Sequence, residues 1–232
     1  MVFLPVTFLF SWFILKIRGV FHVKHQIIRS DFLESKGVTK LLSDYDEKFK
    51  EYADQLLWWN DKVNLVSRGV SRETVLNHVE HSLTISFSQL FQGAAQIIDA
   101  GSGGGLPGVP LGVAHPEKEI LLNDIVSKKI MACKQIAYKM GLKNVSTKIG
   151  SIEAVEMTKD ALVVSKHAFK INDLMRFLHD KEWKGVVLLK GNNEIEEELE
   201  GVDDPLKINV LSLESFQNSF YAGKALVEIT KK

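Results

Sequence analysis

At 232 residues the chain is long enough for one α/β domain with an appendage, and a hydrophobic content of 45% allows a sizeable core. Lysine plus arginine and aspartate plus glutamate both total 29, so the net charge is zero. This argues against strong autonomous nucleic-acid binding and leaves room for a local basic face. The single cysteine, Cys133, excludes an intrachain disulfide and a cysteine-cluster metal site, and fits a reducing, cytoplasmic compartment.

Residues 1–19 stand apart from the rest. Met1 to Leu15 are almost wholly apolar and are followed by Lys16 and Arg18, a run short of the ~20 residues that span a bilayer. The run lacks a basic leader and a small-residue cleavage site, so it does not read as a signal peptide. It is expected to be an extension upstream of the true start, not a membrane anchor. His22 and His25 are spaced like metal ligands but have no carboxylate or cysteine nearby, so a solvated basic terminus is expected.

Leu42, Tyr45, Phe49, Tyr52, Ala53 and Leu56 recur at spacings of three and four, which predicts one amphipathic helix from about Val38 to Asn60. Trp58 to Ser67 reads as a helix end and a compact corner. A second helix is predicted over Glu73–Leu90, with Val75, Val79, Leu83 and Phe87 inward. His78 and His81 lie on it and are expected to be hydrogen-bonded core histidines. Residues 20–92 thus form a helical cap in this reading.

From Ala95 the pattern alternates strand and helix. Strands are predicted at Gln96–Asp99, Glu119–Asp124, Asn144–Ile149, Ala161–Ser165 and Trp183–Lys190, with Lys207–Leu213 and Ala225–Thr230 closing the sheet. A helix over Lys128–Met140 is capped by Ser127 and buries Ile130, Cys133, Ala137 and Met140. The fold class is α/β, a doubly wound and mostly parallel sheet over residues 93–232. The acidic run Glu194–Asp204 is expected to be solvated and turned away from any RNA.

The stretch Asp99 to Pro110 reads as a strand end, a glycine-dense turn and the start of a helix near Pro110. Such a turn seats nucleotide-like ligands. A dinucleotide fingerprint opening at Gly101 would need glycine at 106, where Leu106 stands. An acid ahead of Gly101, Gly103 and Gly105 suits a ligand bearing an ammonium and a positive charge better than a pyrophosphate. S-adenosylmethionine is therefore the expected cofactor. Asp124, about twenty residues on, is placed to accept ribose hydroxyls, a placement that serves NAD equally well.

Several motifs together carry a resemblance. They are Trp59-Asn60 with Asn64-Leu65, His78 with Ser82, Asp99 through Leu111, Asp124 with Lys128-Lys129, and Leu189-Lys190-Gly191. From about Tyr52 to Lys190 the chain resembles bacterial methyltransferases of the glucose-inhibited division B type, the ribosomal RNA small-subunit methyltransferase G family. The most specific piece is Gly105-Leu106-Pro107-Gly108-Val109-Pro110. The resemblance implies a Rossmann-like fold that makes 7-methylguanosine in 16S ribosomal RNA or a small-subunit particle, and a cofactor site lined by Gly101, Leu106, Ile152 and Glu153. Lys166 takes the place of the family's arginine after the fourth strand, which also makes it a cofactor-binding candidate, and His81 stands where many members have aspartate. Lys166 and Lys190 are substrate-side candidates, to hold base or phosphate or to remain solvated charges. The lysines of the Lys128 helix, continuing to Lys143, are candidate phosphate contacts. No general base is expected, because guanine N7 is a neutral acceptor. No metal is expected, and the chain is expected to be a monomer. Alternatives are a non-catalytic ribosome-assembly protein that keeps the fold, or a methyltransferase for a protein or small molecule.

Overall fold

The computed structural model describes residues 25–232; the expectations for residues 1–19 and His22 lie outside them. In chain order the elements are β1 (Gln26–Asp31), α1 (Ser35–Asp44), α2 (Asp46–Asn60), α3 (Arg72–Leu83), α4 (Gln89–Gln92), β2 (Gln96–Ala100) and α5 (Gly108–Ala114). Then follow β3 (Glu119–Asp124), α6 (Ser127–Lys139), β4 (Val145–Ile149), β5 (Leu162–Lys166), α7 (Ile171–Phe177), β6 (Gly185–Gly191), α8 (Ile195–Glu198), β7 (Leu206–Ser212) and β8 (Lys224–Lys231).

The strands form one sheet in the order β1-β7-β8-β6-β5-β2-β3-β4. All neighbours are parallel except those of β8, which runs antiparallel between β6 and β7. Consecutive apolar residues point to opposite faces of a strand. Ile97, Leu162 and Val187 face a layer made by α1, α2, α3, α5 and α6, while Ile98, Val163 and Val186 face α7 and α8. The uninterrupted apolar runs of the central strands thus mark a sheet covered on both sides.

Several secondary-structure elements depart from the sequence reading. The single helix expected over Val38–Asn60 is two, broken at Tyr45, whose φ of −119° and ψ of 22° leave the helical region. Apolar periodicity runs through the break because both helices bury the same side. The Glu73–Leu90 helix stops at Leu83, continues as a 3₁₀ turn over Thr84–Phe87, and restarts as α4 with Ser88 as its cap. Ser127 makes no cap hydrogen bond. It is the first residue of α6, and the Asp124 carboxylate accepts the Val126 N–H instead, at 2.9 Å. β1 was not foreseen. It is mostly exposed, carries no alternation, and exists through its parallel pairing with β7.

The acidic run is only partly solvated. Glu198 is buried, and its Oε2 lies 2.7 Å from Lys190 Nζ while also accepting the Ile171 N–H at 2.8 Å. Lys190 Nζ donates further to the Phe169 carbonyl, at 2.9 Å. Side-chain exposures of 6% and 8% make this the one enclosed ion pair among the described residues, and it joins the end of β6 to α7, α8 and the segment after β5. Removing one member of such a pair strands the other charge, at a cost of about 3–5 kcal/mol. Glu198→Leu is therefore expected to lower the urea midpoint by that equivalent, and Lys190→Met added to it should recover part of the loss. An unchanged midpoint in the single variant would show that the pair contributes nothing.

Candidate functional site

β2 pairs with β3 on one side and β5 on the other, while α5 and α6 lead the chain away in one direction only. The strand order therefore reverses direction at β2, and in open α/β sheets ligands bind in the crevice at the carboxyl ends of such strands. A cleft of about 550 Å³ opens there. Gly101 and Gly103 follow β2 into it, Asn123 and Asp124 end β3, Ser151 and Ile152 follow β4, and Lys166 ends β5. Leu65, Phe169 and Phe177 supply apolar walls.

The turn is held open by side chains from three directions. Tyr52 Oη of α2, fully buried, donates to the Gly104 carbonyl at 3.0 Å. Cys133 Sγ of α6 donates to the Gly103 carbonyl at 3.3 Å. Asp124 Oδ2 accepts the Gly103 N–H at 3.0 Å. From the Trp58 corner, Asn60 Oδ1 accepts the N–H groups of Leu65 and Val66, at 2.8 and 3.0 Å, and this folds Leu65 against the glycines. Gly101 has φ +70°, and a Cβ there would lie 2.5 Å from Ala168 Cβ, so the position demands glycine.

Asp99 is fully buried below the turn and does not line the cleft. Its Oδ2 accepts the Gly108 N–H at 2.8 Å, and a Cβ on Gly108 would come within 2.7 Å of that oxygen. Its Oδ1 has no hydrogen-bond partner among the described residues. Burial pushes this carboxyl up to about 8, against the pull of the Gly108 N–H. Gly105 and Leu106 lie behind the turn, and Glu153 is exposed, with Oε2 accepting from Ser151 Oγ at 3.0 Å. Of the residues singled out in the sequence, Gly101, Gly103, Asp124, Ile152 and Lys166 thus converge on the cleft, whereas Asp99, Gly105, Leu106, Glu153 and Lys190 do not line it.

Sequence reasoning missed the group that surrounds Lys166. Its Nζ lies 2.8 Å from His78 Nδ1, and His167, Ala168 and Phe169 complete that wall. Burial, then the nearby Lys224 ammonium, lowers Lys166 to about 8. Burial likewise lowers His78 to about 4, which leaves a neutral ring whose Nδ1 accepts from the lysine. His81 corrects an expectation: it is fully buried, but neither ring nitrogen has a partner among the described residues. Its ring packs edge-on against Phe220 and Tyr221, contacts made by a segment some 140 positions away and invisible in local periodicity.

A second depression, of about 520 Å³, lies between α7 and the Glu200–Asp204 segment. Its rim carries Asp173, Asp180, Glu200, Asp203 and Asp204, and it touches none of the glycine turn. Among the described residues no group of three or more histidines, cysteines or carboxylates is placed to hold a metal ion, and no helix is long and apolar enough to cross a membrane.

The family described as GidB, rRNA small subunit methyltransferase G, matches residues 45–222. A ribosomal RNA small subunit methyltransferase G of Christiangramia forsetii is 32% identical over 208 residues, covering 86% of this chain and 97% of the relative. One of Chlorobium luteolum is 38% identical over 149 residues, spanning 63% of both chains. Among solved structures, a methyltransferase from Geobacter sulfurreducens superposes with a TM-score of 0.53 at 11% identity, over 78% of this chain and 88% of that one, a likeness of fold.

His81 provides a pH test of the buried wall. A histidine held below its ordinary value stays neutral when folded while the unfolded chain takes up a proton. Its contribution is complete above about 6.5 and is lost as pH falls toward the folded value. His81→Leu is expected to remove two buried nitrogens that have no partner among the described residues and to flatten the loss of stability below pH 6.5 by up to one proton. Asp99, raised in the folded state, opposes this slope in both proteins and cancels in the comparison. Parallel stability–pH curves would contradict the neutral, buried assignment.

Proposed function

The chain belongs to the rRNA small subunit methyltransferase G family, and on that premise we propose that it methylates N7 of a guanosine in 16S ribosomal RNA, with S-adenosylmethionine as the methyl donor. In this reading residues 93–232 are the catalytic unit, β1 adds an edge strand to its sheet, and the helices of residues 35–92 are the cap that holds the glycine turn and the cleft wall.

The observation that carries the reading is the carboxylate pair at the turn. Asp99, beneath the turn, leaves Oδ1 without a partner among the described residues, and such a buried oxygen is costly unless a donor or a nearby cation offsets it. Both oxygens of Asp124 accept backbone N–H groups, and each keeps a lone pair for a ribose hydroxyl. The Asp124 carboxylate facing the cleft, above a buried carboxyl whose ionised form a nearby cation would favour, suits an ammonium-bearing nucleoside and disfavours a pyrophosphate.

S-adenosylmethionine, when bound, supplies a methyl group on a positively charged sulfur. The protein's own contribution is positional. Gly101 and Gly103 let the backbone come close to the ligand, Asp124 engages the ribose, and Ile152 covers the adenine. Leu65, Phe169 and Phe177 exclude water. Lys190 acts at one remove, since its bonds to Glu198 and the Phe169 carbonyl fix that wall in place. Guanine N7 attacks with a lone pair that carries no proton, so no residue need act as a base, and neutral His78 serves to orient Lys166. The Lys166 ammonium, donating from the cleft wall, holds the base or an adjacent phosphate.

Calorimetry with S-adenosylmethionine, together with mapping of 7-methylguanosine in 16S rRNA of a deletion strain, tests the reading; unchanged methylation on deletion would overturn it. With Lys166 held near 8, activity on RNA is expected to fall above that pH as the ammonium is lost. Lys166→Arg should keep activity level to pH 10, since guanidinium does not titrate there. Identical pH profiles would remove Lys166 from the substrate side.

A further inference from the structure

Five of the exposed large apolar side chains fall along one line. Ile125 and Val126 stand at the mouth of the cleft, Met131 and Tyr138 follow on the outward face of α6, and Trp58 of α2 ends the line. Met131 and Tyr138 are seven residues apart, so they share one helical face. Their exposures of 62% and 83%, with 52% at Trp58, are high for such side chains. Contiguous exposed apolar surface of this kind marks a binding face.

The charges on α6 are of one sign. α6 carries Lys128, Lys129, Lys134 and Lys139 and no acid. Lys62 places its ammonium 3.5 Å above the Trp58 ring. At the far end a groove of about 560 Å³ separates Trp58 and Trp59 from Gln135, Tyr138 and Lys139. The one acid on its rim, Asp54, has both oxygens engaged by Arg72, at 2.6 and 3.1 Å. Burial is slight there, and the arginine holds that carboxyl in its charged form, below the usual range.

Flat exposed rings interleaved with ammonium groups that form no ion pair among the described residues match single-stranded nucleic acid, whose bases stack on aromatic faces while its phosphates take the cations. A purely apolar partner would leave the lysines without a counterpart. The strip also starts at the site: Lys129 lines the cleft, and Tyr138 lies nine residues further along the helix, about 14 Å away, a few nucleotides' reach. We propose that this strip docks the single-stranded ribosomal RNA flanking the target guanosine, with α6 lysines on its phosphates and one flanking base stacked in the groove against Trp58 and Tyr138. The proposal rests on the RNA-methylating reading for the identity of its partner.

The test measures binding of small ribosomal subunits that lack the modification, alongside cofactor calorimetry, for the full-length protein and for Trp58→Ala/Tyr138→Ala. Both side chains are largely exposed, so the variant should keep its thermal midpoint and its S-adenosylmethionine affinity. Loss of one stacked base should weaken subunit binding roughly tenfold or more, raise the KM for subunits and spare kcat, while Tyr138→Phe alone should bind as the unaltered protein does. Lys134→Glu/Lys139→Glu should weaken binding further and reduce its salt dependence. Equal subunit binding by the folded aromatic variant would overturn the docking strip, as would a wild-type dimer that this variant converts to monomers without loss of subunit binding. If the unaltered protein binds subunits through these residues but methylates none of them, the docking strip stands and the reaction assigned above falls.

Discussion

Everything in the cleft depends on keeping a bare backbone turn open at the end of a buried strand. A glycine-dense segment has maximal freedom when unfolded, and its polar groups must find partners once buried. Here the partners come from far along the chain. Tyr52 and Cys133 donate to its carbonyls, and Asp99 and Asp124 accept its amides. Together they link α2, β2, β3 and α6 through a few atoms of main chain. The helices of residues 35–92 are therefore part of the site's construction, because one of them holds the glycine turn directly.

The same economy explains the two carboxylates. Asp124 spends both oxygens on shaping the turn and the entry to α6, and still faces the cleft. Asp99 spends one oxygen on the Gly108 amide and keeps the other dry. Burial raises its proton affinity to near-neutral pH, so the folded chain holds a carboxyl whose charge depends on what lies above it. A cation brought to the turn is the natural complement to that arrangement.

On the other wall the basic groups are treated in the opposite sense. Lys166, His78 and His81 are close together and enclosed, and burial lowers the proton affinity of each. Lys190, by contrast, pairs with Glu198. One enclosed lysine is thus paired with a carboxylate and anchors the loop, while the other, among the described residues, bonds a neutral ring and lines the cleft. Which lysine does which follows from where α8 delivers Glu198, a matter of tertiary placement.

The amino-acid sequence by itself determined the alternation of strands and helices from Ala95 onward, the position of the glycine turn, the family resemblance and the acids that close β2 and β3. Those features are local: apolar runs, turn residues and short motifs declare themselves within a few positions. Tertiary structure alone decided the rest. The break at Tyr45 was hidden because two helices share one buried face. β1 exists only through pairing with β7, some 180 residues later. The antiparallel sense of β8 is set by its insertion between β6 and β7. The contrasting fates of Lys166 and Lys190, read from sequence as equivalent strand-end charges, depend on His78, Lys224 and Glu198, which only folding brings beside them. Chemistry that rests on one residue's type was legible, whereas chemistry that rests on which distant groups share a low-dielectric space was not, because burial and pairing set the charge state and neither is a local property.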